Sequence, residues 1–154
     1  MSSTHDVELV LDFLNTLDVE ENADLLDDDL KWHAWLASRG LTAGDPTQVR
    51  AVRDGLRGLV GGTPADPPPA ADVRISLVGG VPQVSAPDAA GAVLAAASRL
   101  AVLGEWERVK ICPADECQWA FFDRSRNRSR TWCSMQVCGN REKARAWRER
   151  SKLG

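Results

Sequence analysis

Histidine is scarce in this 154-residue chain, and several features that accompany enzymes or membrane proteins are missing. The two histidines, His5 and His33, lie at no ligand spacing from another metal-binding residue. The sequence has no glycine-rich phosphate loop and no recognisable nucleophile or acid–base pair. No apolar run approaches the roughly 20 residues needed to span a bilayer. These absences predict a protein that is neither an enzyme nor embedded in a membrane.

The N-terminus also lacks the basic n-region of a secretory signal peptide. Its first 17 residues carry Asp6, Glu8 and Asp12 and no lysine or arginine. The expected location is therefore the cytoplasm, associated with the nucleoid when the protein is bound to DNA.

All four cysteines lie in the last third of the chain, in the frame Cys112-x4-Cys117-x15-Cys133-x4-Cys138. Two short cysteine pairs, separated by a spacer long enough for a β-hairpin, are typical of a tetrahedral zinc site. Four thiolates fill the coordination sphere and leave no position for a catalytic water. The frame predicts one structural Zn²⁺. Disulfides are the alternative, but they are favoured in small secreted chains.

The net charge of −3 conceals an opposition between two parts of the chain. Residues 1–105 contain 7 basic and 16 acidic side chains, whereas residues 106–154 contain 12 basic and 6 acidic ones. This asymmetry predicts an acidic domain over 1–105 followed by a basic domain over 106–154 that seeks a polyanion.

Periodicity and capping signals predict an α+β fold with a mainly helical N-terminal domain. The predicted elements of that domain are a first helix burying Val10, Phe13, Leu14 and Leu17; a second over 23–39; a third opened by Asp45-Pro46 with Val49, Val52, Leu56 and Leu59 inward; a proline-rich connector over 61–72; a β-hairpin over 73–86 turning at Gly79-Gly80; and a fourth helix from Asp88 to Leu103. In the second helix, Leu26, Leu30, Trp32 and Trp35 are expected to pack.

The C-terminal domain is expected to be a small zinc finger of the treble-clef or ribbon-like kind. A strand over 109–111 leads into the first cysteine pair, a second strand over 119–122 completes a β-hairpin, and a helix follows Asn140. Such a module is too small to fold on its own core, so metal ligation must supply much of its stability.

The segment from Trp132 to Lys143, WCSMQVCGNREK, resembles the signature of the CGNR zinc fingers. The upstream stretch from Cys112 to Ser125, with Cys117, Trp119, Phe121 and Asp123 at the matching positions, extends the resemblance over about residues 108–150. The segment LVLDFLNT over 9–16 resembles the opening of the ABATE-type domain, which precedes this finger in bacterial transcription regulators. The resemblance implies a DNA-binding regulator with one structural zinc ion.

Basic residues in two segments support a double-stranded DNA partner independently of that resemblance. Arginines occupy every second position between the cysteine pairs, and a basic stripe follows at helical spacing. The candidate DNA-binding residues are Arg124, Arg126, Arg128, Arg130, Arg141, Lys143, Arg145 and Arg148. Binding to RNA, or docking of the basic finger on an acidic protein surface, remains an alternative. The N-terminal domain is expected to supply small-molecule sensing or homodimerisation.

Aromatic residues of the finger have two interpretations. Trp119, Phe121 and Trp132 could stack on bases, but a small core shielding the thiolates is the favoured interpretation. Trp147 is expected to anchor the C-terminal helix against the finger so that the basic stripe faces outward.

Overall fold

The computed structural model describes residues 3–153 and confirms the α+β class. The helices are α1 (Ser3–Leu14), α2 (Asp29–Ala37), α3 (Pro46–Val60), α4 (Ala89–Val102) and α5 (Asn140–Leu153). The strands form three antiparallel pairs: β1 (Leu17–Asp18) with β2 (Ala23–Asp24), β3 (Arg74–Val78) with β4 (Val81–Ser85), and β5 (Val109–Ile111) with β6 (Ala120–Phe122). Within this described part, no helix is long and apolar enough to cross a membrane.

The main hydrophobic core lies where α1 packs against α3 and α4. Its fully buried side chains include Val10, Phe13, Val52, Val93 and Leu100. The core also takes in Val109 of β5 and Ala120 of β6. Buried packing therefore extends across residue 105, where the distribution of charged residues predicts a domain boundary. That boundary remains a prediction from composition.

The second helix begins later than the sequence pattern predicts. Residues 23–24 form β2, a 3-10 turn occupies Leu25–Asp27, and α2 begins only at Asp29. The cause is the aspartates, whose side chains accept hydrogen bonds from nearby backbone N–H groups and so compete with helix formation. Asp24 caps the 3-10 turn and Asp28 caps α2. Trp32 is buried as expected, but Leu30 is 86% exposed.

The starts of α3 and α4 are as predicted. Asp45 accepts a hydrogen bond from Thr47 N with Pro46 in the first turn, and Asp88 accepts one from Gly91 N. Leu59, predicted to point inward on α3, is 48% exposed, so that part of the prediction is wrong.

Two glycines within α3 let other segments approach the helix closely. A Cβ on Gly55 would lie 2.5 Å from Pro69 Cγ, and one on Gly58 would lie 2.6 Å from the carbonyl oxygen of Thr63. The proline-rich connector therefore packs directly on α3. This close packing accounts for glycine at two positions inside a helix, where intrinsic helix propensity disfavours it.

Candidate metal centre and basic surface

The four cysteine sulfurs form one cluster, within 4.8 Å of one another. Cys133 Sγ lies 3.5 Å from Cys117 Sγ and 3.4 Å from Cys138 Sγ. Tetrahedral Zn–S bonds of about 2.3 Å place sulfurs about 3.8 Å apart, so the cluster fits a zinc ion. These separations are far longer than the roughly 2.05 Å of a disulfide bond. The cluster is a site for one structural zinc ion, with Cys112, Cys117, Cys133 and Cys138 as ligands.

Tight backbone turns position the first two ligands. Cys112 directly follows β5, and its N–H donates to the carbonyl of Trp119. The N–H groups of Cys117 and Gln118 both donate to the carbonyl of Ala114, which closes the turn between the ligands. Gln118 has φ +52°, so the chain reverses there and enters β6. Cys112 and Cys117 are both buried.

The second pair of ligands stands at the entrance of α5. Cys138 lies in a π-helical turn, Met135–Gly139, which continues into α5 at Asn140. Ser134 Oγ accepts a hydrogen bond from Val137 N, and the Ser134 carbonyl accepts one from Gly139 N. The direction of α5 is consequently set by the metal site.

Arg141 lies against the cysteine cluster, where its Nη2 donates to Cys138 Sγ at 3.2 Å. Burial by itself raises the pKa of the Cys138 thiol, but the Arg141 guanidinium and the neighbouring sulfurs bring the pKa below its ordinary value. Burial raises the pKa of Cys117 to about 11. Arg141 also lies 3.5 Å from Glu20 and 3.9 Å from Glu116. The positive charge of Arg141 is thus held near the cysteine sulfurs. The helical spacing of the basic residues does not by itself predict this contact.

The arginine-rich segment between the cysteine pairs is a loop folded around the buried carboxylate of Asp123. This carboxylate accepts hydrogen bonds from Ser125 N at 2.8 Å, Arg130 N at 3.0 Å and Lys110 Nζ at 2.6 Å. Burial alone would raise the pKa of Asp123, but Lys110 and the loop hydrogen bonds hold it well below its ordinary value. Arg108 Nη1 donates to the carbonyls of Asp123 and Ser125. The segment is not the extended arm that places four guanidinium groups on one side.

The four loop arginines are all exposed but differ in their contacts. Arg130 lies 4.5 Å from the centre of the Phe121 ring and donates to the carbonyls of Trp132 and Cys133. Arg128 pairs with Glu107 at 3.0 Å, and Arg124 stacks on Phe122 at 5.0 Å. Arg126 makes no ion pair or side-chain hydrogen bond among the described residues. Arg124 and Arg126 are the loop guanidinium groups with the fewest protein contacts.

Helix α5 projects from the metal centre, and residues 143–152 are all exposed. Trp147 is 63% exposed, so the prediction that it anchors the helix against the finger is wrong. The anchor is instead the connection through Cys138. Arg145 lies 3.7 Å from both Glu142 and Glu149, which are the two acidic residues of α5. Lys143 and Arg148 make no ion pair in the described structure.

The aromatic prediction is confirmed for two residues. Phe121 is buried beside the cysteines, and Trp132 is partly buried against the same cluster. Trp119 is 39% exposed and does not belong to that cluster, so the prediction is not borne out for this residue.

The finger is joined to the helical domain by buried and partly buried hydrogen bonds. Asn15, just after α1, donates through Nδ2 to the carbonyl of Ala120 at 3.0 Å and accepts from Ala120 N at 2.9 Å. The buried guanidinium of Arg57 donates to the carbonyls of Leu14 and Gln118. Because 105 residues separate Asn15 from Ala120, sequence patterns gave no sign of this contact.

The fold and the metal centre define a helical domain that carries a four-cysteine zinc finger. Comparison with protein-family models gives two matches: the CGNR zinc finger over residues 108–151, and ABATE, described as a putative stress-induced transcription regulator, over residues 8–118. The second match spans most of the chain, so the protein belongs to the ABATE family and carries a CGNR zinc finger. A search of curated proteins finds no match.

Proposed function

We propose that this protein is a transcriptional regulator that binds double-stranded DNA through α5 and the arginine loop of residues 124–130. The observation that carries the proposal is the free, basic helix. From Asn140 to Leu153, α5 has six basic and two acidic side chains, and residues 143–152 are exposed. A 14-residue helix with this hydrophilic surface gains little from packing in the free protein. A polyanionic partner would supply the missing contacts.

The dimensions of α5 suit the major groove. Fourteen residues extend about 21 Å at 1.5 Å per residue. The major groove, about 12 Å wide, accommodates one α-helix with its side chains. Arg145 and Arg148 lie on the basic stripe, and Lys143 lies on another side of the helix. A helix inserted in a groove can contact both walls, so these residues can reach phosphates and base edges.

The arginine loop would add phosphate contacts beside the groove. Arg124 and Arg126 have exposed guanidinium groups, and the hydrogen bonds to Asp123 hold the loop backbone in one conformation. A rigid cationic loop loses little conformational entropy on binding. Arg141 and Arg130 would contribute mainly by fixing the finger, because their guanidinium groups contact Cys138 and Phe121.

The zinc ion has a structural role in this proposal, and no catalytic activity is expected. It would fix the direction of α5 relative to β5 and β6, because two ligands flank those strands and Cys138 directly precedes the helix. The basic surface would then be presented in one geometry.

The salt dependence of binding tests the proposal. Titrating a labelled duplex at several salt concentrations should give a linear log–log plot, and Arg148→Ala should reduce the slope by about 0.9 if Arg148 contacts one phosphate. Lys31→Ala is the matched control, because the Lys31 side chain is 73% exposed on α2, outside the finger. An unchanged slope for Arg148→Ala together with unchanged slopes for Lys143→Ala and Arg124→Ala would refute the proposed interface.

Competition between matched DNA and RNA duplexes and single strands addresses the RNA alternative. The proposal expects duplex DNA to compete best. The protein-docking alternative has some support from one contact of the basic finger with the acidic domain, since Arg141 pairs with Glu20. Failure of every nucleic acid to bind at low salt would favour that alternative.

The sensing role expected of the N-terminal domain also belongs to the proposal. A groove of about 510 Å³ lies between α1, α4 and β4, with Glu8, Asp12 and Arg99 among its lining residues. Since α1 ends beside Asn15, which bonds to β6, a ligand in this groove could influence the finger through α1.

A further inference from the structure

The β3–β4 hairpin has an apolar face that is exposed in the described structure except at the half-buried Val84. Side chains alternate along both strands, and one face carries Ile75, Leu77, Pro82 and Val84. The opposite face carries Arg74, Ser76, Gln83 and Ser85, with Val78 and Val81 next to the turn. Ile75 is 69% exposed and Leu77 is 76% exposed. A two-stranded hairpin is marginally stable, whereas three or more strands that share an apolar face form a stable sheet.

The composition of the hairpin indicates an uncharged partner surface. Residues 75–86 contain no charged side chain, although residues 1–105 as a whole contain 23. Nucleic acid and strongly charged protein surfaces would find no complementary charge there. A second copy of the same hairpin meets no charge repulsion.

The outer edge of β4 is unsuited to pairing with another strand. The turn at Gly79-Gly80 has positive φ at both positions, as in a type I′ turn, which makes Val78 and Val81 a hydrogen-bonded pair. The next pair is therefore not hydrogen-bonded, and the backbone groups of Pro82 point outward. Pro82 has no N–H to donate.

Val84 also lies on that outer edge, two residues beyond Pro82. Its carbonyl already accepts a hydrogen bond from Arg99 Nη1 at 2.9 Å. The outer edge of β4 is thus blocked at two successive positions.

The outer edge of β3 is open. By the same alternation, the N–H and C=O groups of Ile75 and Leu77 point away from β4. Neither residue makes another backbone or side-chain hydrogen bond in the described part of the chain. An open edge of this kind is a template for another strand.

We propose that two copies of the protein dimerise by antiparallel pairing of β3 with β3 about a twofold axis that passes between the two Ser76 residues. Ile75 of each copy then lies opposite Leu77 of the other, in hydrogen-bonded pairs that use the open edge groups. Arg74 lies opposite Val78, so the only charged side chain of β3 does not meet its own copy. The result is a four-stranded sheet in the order β4–β3–β3–β4 with a continuous apolar face.

This register makes Ser76 the position at which two identical side chains face each other. The test is a charge exchange at Ser76, followed by sedimentation equilibrium across a dilution series without DNA. The wild type should dimerise, and Ser76→Lys and Ser76→Glu should each raise the dimer dissociation constant about tenfold or more, because like charges directly opposite repel. An equimolar mixture of the two variants should recover the dimer. Gln83→Lys is the matched control: it lies on the same polar face, one strand further from the axis, and should dimerise normally.

Ile75→Pro is an independent variant. It removes an outward N–H that the hairpin itself does not use, as Pro82 does on β4. It should give a folded monomer with the circular dichroism and zinc content of the wild type. A wild type that stays monomeric throughout, a mixture that does not re-form dimers, or a folded Ile75→Pro variant that dimerises normally would each overturn the proposal. Since DNA is absent, these outcomes do not depend on the proposed DNA binding.

Discussion

The contact between Asn15 and Ala120 joins the helical domain to the finger, and its loss should destabilise the whole protein. Asn15→Ala would remove both partners of the Ala120 backbone, whose N–H and C=O bond to the Asn15 side chain at 2.9 and 3.0 Å. Ala120 is only 2% exposed, so water would have poor access to the orphaned groups. A buried polar group left without a partner costs about 1–3 kcal/mol, which gives roughly 2–4 kcal/mol for two groups when one is partly rehydrated.

Urea unfolding followed by tryptophan fluorescence would measure this loss. With a urea slope of about 2 kcal/mol/M, the midpoint should fall by about 1–2 M. Asn15→Asp keeps an acceptor for Ala120 N but places a carboxylate oxygen against the Ala120 carbonyl in place of the donor, so it should also lose stability. Asn127→Ala is the control, because Asn127 is exposed and its side chain makes no hydrogen bond within the described residues. A free energy of unfolding for Asn15→Ala within about 0.5 kcal/mol of the wild type would refute the reasoning.

Three further perturbations have definite expected outcomes. Asp123→Asn should speed amide exchange at Ser125 and Arg130. Because the pKa of Asp123 is lowered in the folded protein, the wild type should have a higher melting temperature than the variant at neutral pH. This difference should shrink as the pH falls below about 4. Zinc chelation should speed amide exchange over 112–153 more than in α1 and α4, and added zinc should reverse the effect, because ligation supplies much of the finger's folding free energy. Gly58→Ala should lower the free energy of unfolding by about 1–3 kcal/mol in urea titration, despite better helix propensity, because its Cβ would lie 2.6 Å from the Thr63 carbonyl oxygen.

Local signals in the sequence predict much of this fold. Asp45-Pro46 and Asp88 mark helix starts because a cap acts on backbone groups two or three residues away. Gly79-Gly80 marks the hairpin turn for the same local reason. The cysteine frame indicates the metal cluster because zinc requires four ligands in a fixed geometry.

Features that depend on tertiary contacts could not be predicted in this way. The early part of the second predicted helix is replaced by β2 and a turn, where Asp24 pairs with the buried Arg53 at 2.6 Å. Trp147 suggests an anchor by residue type, but its side chain is mostly exposed. Asp123 and Lys110 organise the arginine loop through contacts that a count of positive charges does not reveal.

Selection of bound fragments from a genomic DNA pool, with zinc-loaded and zinc-chelated full-length protein side by side, tests the central claim most directly. The account predicts that the zinc-loaded protein enriches a discrete sequence motif, that chelation abolishes the enrichment, and that Arg148→Ala weakens it while Lys31→Ala does not. Equal retention of all fragments by both samples, or no retention by the zinc-loaded protein at low salt, would contradict the claim that the metal centre positions α5 for DNA binding.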